Sequence, residues 1–253
     1  MEVAHLRFPN ADYVTDVLRA ITAVIGEGTF KVSPESVRLT AMDPAHISLV
    51  DMELRREAAE EYRVTKEVEI TLNFEDLVKL LRRARKNEAL VLSYDDEVRR
   101  LTLSLVDVRG GKERDFVVNT LEPMGGTINP PKLSFEAWAR VSSDEFYEAI
   151  EDAKAISDAV RITIRPDALI ILAKGEAKSS QHKFVKGGAA LYEVDARSDV
   201  SASFSIAYLE KIVRPAKQLS DEMTVHLSNN RPVKLSFPLT GGRVDYLIAP
   251  RMD

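Results

Sequence analysis

Cysteine is absent from this 253-residue chain. Disulfides, thiol catalysis and cysteine-based metal sites are therefore excluded. The four histidines, His5, His46, His182 and His226, are scattered. No pair has the helical or hairpin spacing that zinc ligation uses, so neither a metal nor a cofactor is expected. Glutamine is nearly missing (Gln181 and Gln218), while Arg, Glu and Lys abound. Few thermolabile side chains among many charges is a composition typical of thermophiles. No apolar run is long enough to span a bilayer. The opening Met1-Glu-Val-Ala-His-Leu-Arg-Phe8 lacks the basic-then-apolar layout of a signal peptide, and a cytoplasmic location is the expectation. There is no Gly-rich phosphate loop, because the Gly pairs at 110–111, 125–126, 187–188 and 241–242 fall in turns or a linker. Nor is the chain basic: a net charge of −5 argues by itself against nucleic-acid binding.

What the chain does have is a repeat at a constant offset of 132 residues. Asp12, Val14, Val17, Leu18 and Ile21 fall on Asp144, Phe146, Ala149, Ile150 and Ala153. Farther on, Phe30, Pro34, Val37, Leu39 and Ala41 fall on Ile162, Pro166, Leu169, Ile171 and Ala173. Residues 74–85 fall on 206–217, preserving Lys79/Lys211, Arg82/Arg214 and Ala84/Ala216. The length accommodates two similar domains with a core each. Residues 120–132, with three prolines and a Gly pair, read as the connector. The expected boundaries are thus 1–119, linker 120–132 and 133–253.

Period-two apolar runs predict strands at 2–8, 28–32, 36–42, 45–54, 66–72, 88–94, 98–107 and 113–119. In the second half they predict strands at 133–141, 160–165, 168–174, 177–186, 189–197, 199–205, 222–228, 232–238 and 243–249. Helical spacing predicts helices at 10–24, from 73 to about 86, at 143–157 and at 206–218, with Asn10, Asn73 and Ser142 or Ser143 as caps. Arg109-Gly-Gly-Lys112 reads as a hairpin turn. The fold class expected is α+β, each half a mostly antiparallel unit with two helices on one face.

Charge on the helices is uneven. Lys79, Arg82, Arg83 and Lys86 are spaced i, i+3, i+4 and i+7, opposite the stripe of Phe74, Leu77, Leu80, Leu81 and Ala84. In the second copy Lys211, Arg214 and Lys217 point away from Leu209, Ile212 and Val213. A solvated face with cations toward its C-terminal end accounts for one such helix. The same arrangement in both copies favours a shared electrostatic task such as phosphate contact. The other two helices oppose this, since Asp144, Glu145, Glu148, Glu151 and Asp152 face only Lys154.

The stretch Met42-Asp-Pro-Ala-His-Ile-Ser-Leu-Val50 resembles the pattern Met-Asp-x-x-His-aliphatic-Ser-Leu-aliphatic of the sliding-clamp family of proliferating cell nuclear antigen (PCNA), archaeal type. The ending Tyr246-Leu-Ile-Ala-Pro-Arg-Met252 resembles that family's closing segment. The likeness covers essentially the whole chain. It implies a pseudo-sixfold ring of three two-domain subunits, with helices lining the hole and sheets outside. Such a ring is a non-enzymatic processivity factor for replication and repair that encircles double-stranded DNA without base specificity.

By that resemblance Lys79, Arg82 and Arg214 face DNA; Arg83, Lys86, Lys211 and Lys217 join them by helix geometry. Asp16, Glu148 and Glu151 depart from the family by standing where many relatives carry basic residues. The family's partner-peptide pocket maps onto Met42, His46, Ile47, Leu49, Ile128, Pro130, Pro232, Tyr246, Ala249, Pro250 and Arg251. Its implied occupants are short peptide motifs of DNA polymerase, DNA ligase, flap endonuclease and the clamp loader. Subunit pairing maps onto Glu113, Arg114, Phe116 and Val118 against Ala177, Lys178, His182 and Phe184 of a neighbour, in a homotrimer or a heterotrimer of clamp subunits. No membrane partner is implied. The rival is an α+β enzyme with a site between the repeats, for which Asp43 and His46 are the only suggestive polar pair.

Overall fold

The computed structural model describes residues 1–122 and 128–251. The central part of the expected linker therefore lies outside the described residues. The chain forms two units. The first comprises Met1–Ala41, Asp51–Asn129 and Leu239–Arg243; the second comprises Met42–Val50, Pro130–Pro238 and the segment from Val244 on.

In chain order the first half holds β1 (Glu2–Phe8), α1 (Ala11–Thr22), β2 (Glu27–Val32), β3 (Ser36–Met42), β4 (Ser48–Arg55), β5 (Glu61–Val64), β6 (Val68–Asn73), α2 (Phe74–Leu81), β7 (Glu88–Asp95), β8 (Arg100–Asp107) and β9 (Glu113–Asn119). The second half holds β10 (Ala137–Ser142), α3 (Ser143–Lys154), β11 (Ala159–Arg165), β12 (Ala168–Lys174), β13 (Ser179–Val185), β14 (Leu191–Ala196), β15 (Val200–Ser205), α4 (Ile206–Ala216), β16 (Glu222–Leu227), β17 (Val233–Leu239) and β18 (Gly242–Ile248). Shifting α1, β3 and β6 by 132 positions lands on the bounds of α3, β12 and β15.

The hydrogen-bonded orders repeat too. The order β5-β1-β7-β8-β9 in the first half matches β14-β10-β16-β17-β18 in the second, and β4-β3-β2-β6 matches β13-β12-β11-β15. The pairs whose register is resolved are antiparallel throughout, as in Leu6↔Leu92 and Ile162↔Ile171. In the first unit α1 packs beside α2, α1 lying on β1 and β7 and α2 on β2 and β6. In the second, α3 packs beside α4 on strands of both its sheets. The helices therefore form one layer on one face, which buries their apolar stripes.

The caps arise locally. Asp12 N–H donates to Asn10 Oδ1 at 2.7 Å, Asp76 N–H to Asn73 Oδ1 at 2.9 Å, and Glu145 N–H to Ser142 Oγ at 3.4 Å. Each satisfies an amide that a helix leaves unpaired, worth about 1 kcal/mol. The β8–β9 turn needs Gly110 and Gly111, whose φ angles of 86° and 94° disfavour any side chain.

Three expectations need correction. Helix α2 ends at Leu81, with Arg82 as its cap, rather than near Lys86. Arg83 N–H and Ala84 N–H turn back to the carbonyls of Leu80 and Leu81. The buried Glu88 carboxylate then accepts Arg85 N–H at 2.8 Å, and Arg114 Nη2 donates to the Arg83 carbonyl at 2.9 Å. Arg83 and Lys86 thus lie on a turn, and the helical-face argument holds only for Lys79. Strand β5 and the 3-10 turn at Arg56–Ala58 were not expected, because this charged stretch buries little. The second half's first strand begins at Ala137, not 133.

Candidate functional site

The basic side chains lie on two surfaces. On the first unit Lys79, Arg82, Arg83, Arg85 and Lys86 are all exposed. Lys79 Nζ meets Asp76 Oδ1 at 3.0 Å, and that hydrogen bond raises the Lys79 pKa. Arg82, Arg83, Arg85 and Lys86 have no carboxylate partner among the described residues. The glutamate–arginine pair at Glu88 and Arg114 fixes the turn that carries them.

On the second unit Lys211 is exposed, but its neighbours are engaged. Arg214 Nε donates to Tyr147 Oη at 2.9 Å, and its Nη2 lies 3.6 Å from Glu210. Lys217 Nζ pairs with Asp144 and lies 5.0 Å over the Tyr147 ring. Lys154 Nζ meets Glu210 Oε2 at 2.8 Å. That bond holds the Glu210 carboxyl below its ordinary range and raises Lys154, while Tyr147 raises Arg214. Across the first unit's α1, Arg19 lies 3.2 Å from Asp16, whose carboxyl is pushed up by burial.

A separate feature is the turn 43–47. Asp43 is buried. Its carboxylate accepts Ile47 N–H at 2.8 Å, Ser48 N–H at 2.5 Å and Ala45 N–H at 3.3 Å, and the Tyr208 hydroxyl from α4 at 3.4 Å. These bonds hold His46 in the left-handed region, at φ 58°. His46 is exposed, Met42 and Ile47 are half-buried, and Ala249 N–H donates to the Ile47 carbonyl at 2.9 Å. Pro250 follows, and Arg251 is anchored by its N–H to the Ser203 carbonyl and by its guanidinium to Asp158, each at 2.8 Å.

Met42, His46, Ile47, Leu49 and the 246–251 segment thus belong to one unit. Leu49 and Tyr246 are core side chains there, Tyr246 packed edge-on against Phe237 at 5.9 Å. Pro232 is half-buried in the β16–β17 turn. Ile128 and Pro130 are exposed and flank the undescribed residues. Asp43 is the residue whose role sequence reading did not reach: it was weighed only as half of a catalytic pair. An Asp whose carboxylate takes the amide two residues on, as Asp43 takes Ala45 N–H, forms an Asx-type turn.

The expected pairing edges are β9 and β13. Among the described residues each has one strand neighbour. On β9, Arg114, Phe116 and Val118 are half-buried, while Glu113 and Val117 point out. Val117 is 60% exposed. On β13 Phe184 is buried, His182 lies 3.0 Å from Asp152, and Val185 is 48% exposed. Ala177 and Lys178 precede the strand rather than belonging to it. No helix is long and apolar enough to cross a membrane, among the described residues.

Two copies of one helix-and-sheet unit, repeated strand for strand, define the DNA-clamp fold. Comparison with known proteins agrees. The profile of the PCNA N-terminal domain matches residues 3–122, and that of the C-terminal domain matches residues 129–251. The chain belongs to the PCNA family. It is 31% identical over 247 residues to the DNA polymerase sliding clamp of Thermofilum pendens, covering 97% of this chain and 98% of that protein. It is 30% identical to DNA polymerase sliding clamp 1 of Pyrobaculum aerophilum, covering 98% of each. The crystal structure of PCNA from Thermococcus kodakaraensis superposes with a TM-score of 0.91 at 24% identity, over 98% of this chain and all of that one.

Proposed function

We propose that this chain is a subunit of a DNA polymerase sliding clamp, a ring that encircles duplex DNA and tethers replication and repair enzymes. One observation carries the ring. Strands β18 and β4 are hydrogen-bonded neighbours within the chain. By their places in the matching sheet orders they correspond to β9 and β13, the two edges whose counterparts are already paired. A β9 edge meeting the β13 edge of another copy repeats that junction. Repetition closes the ring and removes edges that would otherwise invite aggregation. The exposed Val117 and Val185 on these strands favour burial there. The candidates for the interface are Glu113, Arg114, Phe116 and Val118 against Ala177, Lys178, His182 and Phe184. Closure works equally with sister subunits that carry the same edges.

Topology then supplies the grip, so phosphate contact need only be weak and blind to sequence. The candidate contacts are Lys79, Arg82, Arg83 and Lys86 on one helix surface and Lys211, Arg214 and Lys217 on the other. Client enzymes (polymerase, ligase, flap endonuclease and clamp loader) dock through short peptides. The turn 43–47 and the 246–251 segment offer them apolar side chains, among them the half-buried Ile47. The Asp43 carboxylate, fully engaged in holding its turn, acts structurally, and no catalysis is assigned to Asp43 or His46.

The test is retention on DNA after loading. The protein should stay on closed circular duplex and slide off the same duplex once it is cut. Equal loss from both forms contradicts the reading. Val117→Asp should convert the ring to monomers, and an unchanged molar mass would remove β9 from the interface.

A further inference from the structure

The two helix surfaces carry opposite net charge. Residues 11–22 and 74–86 of the first copy hold six basic and four acidic side chains. The equivalent residues 143–154 and 206–218 hold four basic and six acidic ones. Pairing deepens the contrast. In the second unit Lys154, Arg214 and Lys217 each lie against Glu210 or Asp144. In the first, Lys79 and Arg19 are paired within their own helices. The side chains of Arg82, Arg83, Arg85 and Lys86 meet no carboxylate among the described residues, and Glu88 and Arg114 hold backbone groups of Arg85 and Arg83 in place.

A cation already neutralised by a carboxylate gains little from a phosphate. Its counterion is the protein's own acid, so no mobile ion is released on contact. Breaking the pair also leaves a negative carboxylate facing a negative backbone. A cation without such a partner releases its condensed ion and contributes in full.

We propose that the phosphate contacts of this subunit come from the Arg82–Lys86 turn of the N-terminal unit, and that the helix surface of the C-terminal unit is self-neutralised and faces duplex DNA without gripping it. A ring of such subunits would hold DNA on alternate domains. This rests on the sliding-clamp reading and assigns the contact within it.

The experiment is the salt dependence of affinity for a short linear duplex, measured by fluorescence anisotropy. Each contacted phosphate contributes a slope of about −0.9 in log K against log salt. Arg82→Gln with Arg83→Gln and Lys86→Gln should flatten the slope by roughly two to three and weaken binding at least tenfold at low salt. Lys211→Gln with Arg214→Gln and Lys217→Gln should flatten it by about one at most. Asp144→Asn with Glu210→Gln frees Lys217, Lys154 and Arg214 and should steepen it. Thermal melts and molar masses identify any variant that misfolds. Equal losses in the two triple variants, or no change on removing Asp144 and Glu210, overturn the proposal. Failure of the clamp reading looks different: wild-type protein would keep the predicted slopes on short duplex yet not be retained on closed circles. A wild-type protein without measurable duplex affinity overturns the contact assignment, while retention on closed circles still decides the clamp reading.

Discussion

Val14 and Phe146 occupy the same place in two copies of one unit, on the buried stripes of α1 and α3. Phe146 is completely buried; Val14 lines an apolar cavity of about 90 Å³ together with Leu72, Leu101 and Met52. Leu72 also matches a larger residue, the fully buried Phe204. The same pairwise contrast runs through the charges: the side chains of Arg82, Arg83, Arg85 and Lys86 have no carboxylate partner among the described residues, while Lys154, Arg214 and Lys217 each lie against Glu210 or Asp144. Duplication preserved the backbone plan and the capped starts of α1 and α3, whereas Ser205 makes no side-chain cap bond where Asn73 does. Side chains then diverged, so the second copy is the tighter and electrostatically closed one, while the first keeps the unpaired cations. Equivalent positions in a repeat therefore need not share a task.

The comparison can be broken or sharpened by substitution. The largest effect belongs to the filled core: Phe146→Ala should cost about 3–5 kcal/mol in denaturant unfolding. A loss near 1 kcal/mol would mean the second core is as loosely packed as the first. Next is the turn after β3, compared with its repeat equivalent after β12. Asp43 holds the former through its carboxylate, whereas Gly175 allows the latter to pass so close to Ile156 that a Cβ would lie 2.6 Å from its carbonyl oxygen. Asp43→Ala strands buried amides and should cost about 1–3 kcal/mol while loosening the His46 turn. Proton–deuterium exchange at Ile47 and Ser48 would report that loosening, and unchanged protection would contradict it.

A pH scan separates the units by a residue found only in the second. Burial first, and then Lys234, depress the His226 pKa to about 4. By strand register the equivalent position in the first copy is Ser93, which lies opposite Thr102 as His226 lies opposite Lys234. Between the ordinary histidine value and pH 4 the unfolded chain binds a proton that the folded unit refuses. Stability should therefore fall as pH drops through that window, by roughly 1–2 kcal/mol after allowance for partial exposure. His226→Gln should flatten this slope, and an unaltered profile would remove His226 as its source. The smallest effect runs the other way. Val14→Phe, which borrows the second copy's residue, should fill the cavity and raise stability by about 1 kcal/mol, where a well-packed site would instead lose about 1–3 kcal/mol. A rise in unfolding midpoint checks it.

Much of this was legible in the sequence. The offset of 132, the capping Asn10, Asn73 and Ser142, and the Gly110–Gly111 turn all announce themselves through local chemistry. What escaped depends on distant partners. Helix α2 stops early because Glu88 and Arg114 capture backbone groups of Arg83 and Arg85. Strand β5 is too short and too polar to show a period. The neutralisation of Lys217 by Asp144 joins residues 73 positions apart, so a cation count sees two similar basic helices where the structure pairs Arg214 and Lys217 with carboxylates and leaves the side chains of the Arg82–Lys86 turn after α2 without one among the described residues. The Met42–Val50 motif was recognisable as a pattern, but the carboxylate cage that shapes it emerged only from its hydrogen bonds.

The central claim is that β9 and β13 join copies as β18 and β4 join within one chain. Light scattering across a dilution series tests it most directly. The account predicts a molar mass of three chains that persists on dilution, formed by this subunit alone or with its sister subunits, and lost in Val117→Asp. A chain that stays monomeric alone and in every such mixture would contradict it.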